Sequence, residues 1–335
     1  MEYRILGKTG LKISRVGFGG IPIQRIDAEG TRQLMHQMKA AGINYIDTAR
    51  GYTVSEEYLG YALEGIREDF VIATKSMART KEAMAADIDI SLKNLRTDYI
   101  DLYQVHNATP EQMEQVMAPG GALEALQEAK AAGKIGHIGV TAHSAETFRM
   151  ALDLPWVETV MFPYNIVETQ AEKLIHACGE KNIGFICMKP LAGGALEDAT
   201  LALRWICANP DVTVVIPGMA EPKELEQNLA AVCDTQPLTS EEKAKVMEIR
   251  GTLGTQFCRR CNYCQPCAQG INISGVFLFE GYLSRYGLGD WAKERYAAMP
   301  VKASACIGCG ACESRCPYNL PIRKMLQAAA EKFGE

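Results

Sequence analysis

The sequence has no long hydrophobic run and no block of charge of one sign. No stretch of the 335 residues approaches the ~18 uncharged apolar residues of a membrane-spanning helix. The first residues contain no apolar leader segment either. The formal net charge is −5, without a basic cluster that would attract nucleic acid or an anionic membrane. These absences predict a cytoplasmic protein with neither a nucleic-acid nor a membrane partner.

Cysteine, by contrast, is concentrated near the C-terminus. Eight of the twelve cysteines form two runs: Cys258, Cys261, Cys264 and Cys267, then Cys306, Cys309, Cys312 and Cys316. The second run has the CxxCxxCxxxCP spacing by which bacterial ferredoxins hold two 4Fe-4S clusters. A zinc ribbon needs two CxxC pairs set well apart. The spacing therefore favours two 4Fe-4S clusters, and structural zinc stays as the alternative.

The first run differs from the ferredoxin pattern at its end. The step before Cys267 is one residue short, and Ala268 stands where a proline usually follows. In ferredoxins the fourth cysteine of each run ligates the other cluster. By this rule Cys316 completes the cluster of the first run, and Cys267 completes that of the second. Arg259 and Arg260 are interpreted as ordinary solvated charges, with contact to an acidic electron carrier as the alternative.

Short apolar or β-branched runs recur through the first 220 residues, and a helix-like segment follows each of them. The runs lie at 16–19, 43–47, 70–74, 99–105, 135–141, 157–162, 183–188 and 212–216. Eight alternating strand and helix units predict an α/β fold of the (β/α)8 TIM barrel type. The spacing of apolar residues predicts one of the helices over residues 81–95.

The barrel is predicted to end with a helix that starts at a capping box on Thr239 and stops at Gly251. This predicts two domains, a barrel over residues 1–250 and a small, mainly helical, ferredoxin-like iron-sulfur domain over residues 251–335. The helices predicted for the second domain lie at 276–286, 290–298 and 322–333.

Four polar side chains follow successive strands of the predicted barrel. Asp47 and Tyr52 come after the second strand, Lys75 after the third, and His106 after the fourth. Barrel enzymes keep their active sites at the C-terminal ends of the strands. Taken singly, a tyrosine or histidine in a loop is often a packing residue, and a Lys–Asp pair is often a surface ion pair. Their joint placement favours a catalytic role.

The local sequence around these residues resembles the aldo-keto reductase family. The resemblance rests on AspThrAla-x-GlyTyr at 47–52, AlaThrLys at 73–75, SerLeuLysAsnLeuArgThrAspTyrIleAspLeuTyrGlnValHis at 91–106 and GlyPheGlyGly at 17–20. With the two cysteine runs, the whole chain resembles the branch of that family that carries a C-terminal ferredoxin-like domain.

The chemistry of the family explains these residue types. A tyrosine hydroxyl with an ordinary pKa of ~10 is a poor acid at neutral pH, and a nearby ammonium that favours the phenolate makes it usable. Lys75 would supply that cation to Tyr52, and Asp47 would orient it. His106 would position the substrate oxygen by a hydrogen bond.

The resemblance also implies a nicotinamide nucleotide across the top of the barrel. The residues at the family's nucleotide-binding positions are Gly19, Thr141, Asn165, Leu191, Gly193, Gly194, Ile216, Gly218 and Asn228. Gly218 and Glu224 replace the lysine and arginine that the family uses near the 2′-phosphate of NADP, so NADH is favoured over NADPH. A flavin, or no nucleotide at all, stays open.

The sequence thus predicts an oxidoreductase that reduces or oxidises a small carbonyl or alcohol compound. Tyr52 would be the general acid and base, and the clusters would relay electrons to or from the site or an electron-carrier protein. Nicotinamide passes two electrons together and a cluster passes one, so direct exchange between them needs a mediator. Two alternatives stay open, an NAD(P)H-dependent reductase with structural or redox-sensing clusters and a non-catalytic electron-transfer or docking protein.

Overall fold

The structure is a computed structural model that describes residues 1–335. It divides into two compact units. The first comprises Met1–Asn165, Thr169–Leu191 and Asp198–Pro237, and the second comprises Ile166–Glu168, Ala192–Glu197 and Leu238–Glu335. Residues 238–250, the last of the predicted barrel, are grouped with the second unit. The helix that contains Arg250 belongs to the second unit, where Arg250 Nε donates to the Ile166 carbonyl at 2.9 Å.

The first unit is built on a parallel sheet of eight strands in sequential order. An antiparallel hairpin of β1 (Tyr3–Ile5) and β2 (Lys12–Ser14) precedes it. The eight strands are β3 (Phe18–Gly19), β4 (Tyr45–Asp47), β5 (Val71–Ser76), β6 (Ile100–Val105), β7 (Ile135–Thr141), β8 (Thr159–Pro163), β9 (Gly184–Met188) and β10 (Val214–Val215). Parallel bridges join Val16 to Val215 and Gly19 to Gly218, so the sheet closes on itself.

Each of the eight strands is followed by at least one helix. The helices are α1 (Ala28–Ala40), α2 (Ser55–Ala62), α3 (Lys81–Asn94), α4 (Pro110–Met117), α5 (Ala122–Ala131), α6 (Ala145–Leu152), α7 (Glu172–Glu180), α8 (Ala199–Cys207) and α9 (Pro222–Cys233). The helix predicted over residues 81–95 is α3, which buries Met84 and Ile88 and is capped by the Thr80 side chain. The predicted barrel is confirmed.

The hairpin packs against the N-terminal end of the barrel. Leu6 and Ile13 are fully buried and join the apolar cluster inside the barrel with Tyr45 and Leu102. Gly184, the first residue of β9, lies directly against Leu6. A Cβ at this position would be only 2.6 Å from the Leu6 side chain. The apolar hairpin therefore fills this end, and the C-terminal strand ends carry the polar side chains.

The second unit is helical and contains no strand, as predicted. Its helices are α10 (Ser240–Thr252), α11 (Ile273–Arg285), α12 (Gly289–Ala297), α13 (Ala311–Arg315) and α14 (Ile322–Phe333). Thr239 and Glu242 form the predicted capping box at the start of α10. The α11 helix begins earlier than predicted because the Asn272 side chain caps it, accepting from Gly275 N at 3.0 Å. None of the protein's helices combines the length and apolar composition needed to cross a membrane.

Candidate active site and cluster-binding region

Lys75 and Asp47 form a buried ion pair at the C-terminal ends of β5 and β4. The Lys75 ammonium donates to Asp47 Oδ1 and, at 2.7 Å, to the Thr48 carbonyl. Gln104 Nε2 donates to the other Asp47 carboxylate oxygen at 3.2 Å. Both charged residues are almost fully buried, so packing and hydrogen bonds fix their positions.

Burial opposes both charges of this pair. It lowers the pKa of Lys75, and the adjacent Asp47 carboxylate offsets part of that effect. It raises the pKa of Asp47, and here the Lys75 ammonium opposes the shift. Each partner therefore keeps its charge through the attraction of the other, and the Lys75 ammonium gives up a proton more easily than a surface lysine does.

Tyr52 and His106 lie beside the ion pair. Lys75 Nζ is 4.9 Å from the centroid of the Tyr52 ring. The rings of Tyr52 and His106 meet edge to face, with their centroids 6.2 Å apart. Tyr52 lies in the loop between β4 and α2, and His106 directly follows β6. The structure thus brings together the four side chains that the sequence groups as one site, at the ends of three adjacent strands.

The His106 imidazole is neutral at physiological pH. Burial and the positive charges of Lys75, Arg79 and Lys189 hold its pKa well below the usual range. Arg79 donates to the His106 carbonyl at 2.8 Å, whereas the buried Nδ1 of the ring has no hydrogen-bond partner within the protein. A neutral imidazole carries one N–H donor and one acceptor, so it can hydrogen-bond a substrate oxygen without adding charge.

The depressed pKa of His106 predicts that stability depends on pH. The unfolded chain protonates this side chain near pH 6.5, while the folded chain keeps it neutral to lower pH, so the free energy of unfolding decreases as the pH falls below ~6.5. The slope for one such group approaches ~1.4 kcal/mol per pH unit. We expect His106→Gln to remove this contribution in urea unfolding measured from about pH 5.5 to 7.5. His36→Gln, at an exposed position, is the control, and equal slopes for His106→Gln and wild type would contradict a neutral His106.

Glu56, to which the sequence assigns no role, anchors the loop that carries Tyr52. Its buried carboxylate pairs with Arg50, a residue of that loop, at 2.7 Å. It also accepts hydrogen bonds from the hydroxyls of Thr74 and Ser91, both at 2.8 Å. These contacts tie the loop to β5 and α3. Glutamate is common in the first turn of a helix, and the sequence therefore offers no signal that distinguishes Glu56.

The residues predicted to bind a nucleotide are divided between the two units. Most lie at strand ends or on a helix of the first unit, namely Gly19, Thr141, Asn165, Leu191, Ile216, Gly218 and Asn228. Gly193 and Gly194 belong to the second unit, where the Gly193 carbonyl accepts from Arg285 at 3.1 Å. The Asn165 amide donates to the Lys189 carbonyl at 2.9 Å, so at least one predicted nucleotide contact also holds the backbone.

Two glutamates, Glu221 and Glu224, lie at the start of α9. Glu224 accepts hydrogen bonds from the backbone N–H groups of Ala220 and Glu221, at 2.6 and 3.1 Å. It also pairs with Arg25 at 3.2 Å, and with Glu221 it forms a capping box. These contacts occupy two backbone N–H groups just before the first helical residue and hold the Glu224 carboxylate at the start of α9.

The eight clustered cysteines of the second unit line two separate cavities. One is lined by Cys258, Cys261, Cys264 and Cys316, and the other by Cys267, Cys306, Cys309 and Cys312. This grouping is the one that the crossed ferredoxin rule predicts. No three or more His, Cys, Asp or Glu side chains of the protein are arranged to hold a single metal ion, whereas four thiols around one cavity suit a 4Fe-4S cluster.

Burial favours the protonated form of four of these thiols. It raises the pKa of the Cys264 thiol to about 12 and also raises the pKa values of Cys258, Cys261 and Cys312. Only thiolates ligate iron, so cluster binding must displace these protons.

Arg259 and Arg260 are not solvated charges, and the interpretation from sequence is wrong here. Arg259 is 8% exposed, and its guanidinium stacks 3.8 Å from the centroid of the Tyr318 ring. It donates hydrogen bonds to three carbonyl oxygens, those of Val167, Gly254 and Phe257. Arg260 pairs with the buried Glu168 at 2.7 Å. The acceptors at positions 167 and 168 lie far from the cysteine runs in sequence, and so the local pattern could not predict these contacts.

Family models match both parts of the chain. The aldo/keto reductase family model matches residues 15–200 and 198–250, which include the ion pair, Tyr52 and His106. A 4Fe-4S dicluster domain model matches residues 257–321, which include all eight clustered cysteines. Both resemblances inferred from the sequence motifs are therefore confirmed.

Individual relatives agree with the family models. The chain is 28% identical to L-galactose dehydrogenase of Arabidopsis thaliana over 298 residues, which cover 72% of this chain and 92% of that protein. It is 33% identical to aldo-keto reductase YhdN of Bacillus subtilis over 228 residues, which cover 60% and 66% of the two chains. The holo form of an aldo-keto reductase from Bacillus halodurans matches the structure with a TM-score of 0.65 at 26% identity, covering 74% of this chain and 96% of that one.

The two family models extend over the barrel, the polar strand ends and the cysteine-lined cavities. Together with the relatives, they disfavour a non-catalytic docking protein. The chain belongs to the aldo/keto reductase family and is an oxidoreductase with a C-terminal 4Fe-4S dicluster domain.

Proposed function

We propose that this enzyme interconverts a small carbonyl compound and its alcohol, with Tyr52 as the general acid and base. The observation that carries the proposal is the buried Lys75 ammonium, which is anchored by Asp47 and lies 4.9 Å from the centroid of the Tyr52 ring. A cation at this position favours the phenolate form. It therefore reduces the free energy needed to move the phenol proton to a substrate oxygen.

His106 positions the substrate in this proposal. Its ring meets the edge of the Tyr52 ring, so both side chains can approach one oxygen atom. The low pKa of His106 keeps the imidazole uncharged, and the positive charges of Lys75 and Arg79 maintain this state. A neutral N–H donor polarises a carbonyl and leaves Tyr52 as the group that transfers the proton.

Reduction of a carbonyl to an alcohol takes two electrons and two protons. Tyr52 supplies the proton that bonds to oxygen, and solvent supplies the proton that bonds to carbon; the reverse reaction releases both. When bound, each 4Fe-4S cluster carries one electron. The reductant would be a one-electron carrier protein. The ligands would be Cys258, Cys261, Cys264 and Cys316 for one cluster, and Cys267, Cys306, Cys309 and Cys312 for the other.

An anaerobic assay with reduced methyl viologen as the sole electron donor tests this proposal. The substrates are a panel of short aldehydes, ketones and 2-oxo acids. We expect two viologen cations to be oxidised for each alcohol formed, and we expect Cys312→Ala, which removes a buried thiol of the second cavity, to abolish turnover. Cys233→Ala, at an exposed cysteine of the first unit, is the matched control and should retain the rate. Viologen-driven turnover in a Cys312→Ala protein that has lost iron would refute the electron relay.

A second candidate function is NADH-dependent reduction, with the clusters in a structural or redox-sensing role. It is favoured by the retained polar residues at the nucleotide-binding positions, among them the buried Asn165 after β8 and the buried Asn228 on α9. NADH is the expected nucleotide because Glu224 already occupies the backbone N–H groups at the start of α9. Turnover of the Cys312→Ala variant with NADH alone would favour this second function over the electron relay.

A further inference from the structure

The two cysteine-lined cavities differ in how far their thiols are buried. The first cavity has two buried thiols, Cys264 and Cys316, whereas the second has one buried thiol, Cys312, and one exposed thiol, Cys309. A 4Fe-4S cluster held by four thiolates is an anion, and reduction adds one more negative charge. Burial disfavours added charge. Without compensation, the cluster at the first cavity would therefore be harder to reduce.

Arg259 places a positive charge beside the first cavity. It lines that cavity together with the cysteines and is only 8% exposed. All its hydrogen bonds go to carbonyl oxygens, and its guanidinium stacks on the Tyr318 ring. No carboxylate pairs with it. Its charge is therefore poorly screened by water and is not neutralised by a counter-ion.

The neighbouring cation is neutralised. Arg260 pairs with Glu168 at 2.7 Å, and Glu168 is completely buried. The carboxylate of Glu168 neutralises the charge of Arg260. Arg259 therefore provides an uncompensated positive charge beside the first cavity. Removal of the Glu168 charge would leave a second cation there.

The cations beside the second cavity are screened. Arg315 and Arg323 line this cavity, but both residues are exposed. Arg323 also pairs with Glu313 at 2.7 Å. Solvent and the carboxylate weaken their effect, and the two cavities therefore differ in their electrostatic surroundings.

We propose that Arg259 raises the reduction potential of the 4Fe-4S cluster bound by Cys258, Cys261, Cys264 and Cys316, and so offsets the effect of burial on that cluster. A nearby positive charge stabilises the reduced, more negative form of a cluster. The effect keeps the more buried cluster reducible by the carrier that reduces the other cluster. This inference rests on the proposed ligand sets and goes beyond the proposed relay, because it assigns Arg259 a role in tuning it.

The test is an anaerobic reductive titration of the full-length protein followed by electron paramagnetic resonance. Wild type should show two one-electron steps. We expect Arg259→Gln to lower the reduction equilibrium constant of one step at least about tenfold, or ~59 mV for a one-electron couple, and to leave the other unchanged. Arg259→Lys, which keeps the charge, should retain most of the wild-type value. Arg323→Gln, at an exposed arginine of the other cavity, is the matched control and should not shift that step.

Glu168→Gln reverses the sign of the effect. It leaves Arg260 without its counter-ion. We therefore expect a higher reduction potential for the step whose potential decreases in Arg259→Gln. Iron and sulfide are measured first in every variant. If Arg259→Gln does not retain its clusters, Glu168→Gln alone decides. An Arg259→Gln protein with both clusters and unchanged potentials, or a Glu168→Gln protein whose potentials do not rise, overturns the inference. Wild-type protein without iron and sulfide would instead refute the proposed function.

Discussion

Tyr52→Phe is expected to lower the turnover number for carbonyl reduction by about 10²- to 10⁴-fold, the usual contribution of a positioned general acid. The substitution removes one hydroxyl and keeps the ring, so the packing of the ring against His106 and beside Lys75 is preserved. The fold and the iron content should therefore stay at wild-type values. Because proton transfer is lost and binding is not, the decrease should appear in kcat and not in KM.

Tyr61→Phe is the matched control for this change. Tyr61 lies on α2, close in sequence to Tyr52, and its hydroxyl donates to Glu29 at 3.0 Å on the exposed surface. Its removal should leave turnover within about twofold of wild type, since the residue takes no part in proton transfer. A Tyr52→Phe enzyme as active as the Tyr61→Phe enzyme would show that another group supplies the proton.

Lys75→Met is expected to reduce the free energy of unfolding by about 3–5 kcal/mol, the effect of breaking a buried ion pair by removing one partner. The substitution leaves Asp47 buried with only Gln104 to donate to its carboxylate. The same variant should lose most of its turnover, because Tyr52 loses the cation beside its ring. Urea unfolding under anaerobic conditions measures the first effect, and the viologen assay measures the second.

A double variant separates the two consequences of breaking this pair. Lys75→Met combined with Asp47→Asn removes the unpaired charge, so stability should largely recover while activity stays low. Lys134→Met is the control for a surface ion pair, because Lys134 contacts Asp89 at 2.7 Å with both side chains exposed. It should reduce stability by less than ~1 kcal/mol. A Lys75→Met protein no less stable than the Lys134→Met protein would contradict the buried pair.

The barrel could be predicted because its signals are local. Each strand is a short apolar run followed by a helix-like segment, and strand ends that share one face bring Asp47, Lys75 and His106 together although 59 positions separate the first from the last. The cysteine spacing is equally local, and it predicts the grouping of the thiols around the two cavities. In both cases the physical constraint is a repeat or a spacing that the sequence displays directly.

The features that could not be predicted from the sequence depend on contacts between distant segments. In the sequence, Arg259 cannot be distinguished from an exposed arginine, because its hydrogen bond to the Val167 carbonyl joins distant segments. Glu168 cannot be distinguished from an ordinary loop carboxylate either, because its partner Arg260 lies far away in sequence. Glu56 acquires its role only because Thr74 and Ser91, on other elements, donate to it. Polar contacts of this kind have no periodicity, so no local pattern predicts them.

The coupling of Tyr52 to the clusters is tested most directly by a single-turnover experiment. The protein is reduced with dithionite, freed of excess reductant under anaerobic conditions and mixed with a carbonyl substrate found in the viologen assay. We predict one alcohol for every two electrons that leave the clusters, and no reoxidation of the clusters in Tyr52→Phe. Alcohol that forms only when NADH is added, while the clusters stay reduced, would contradict the coupling.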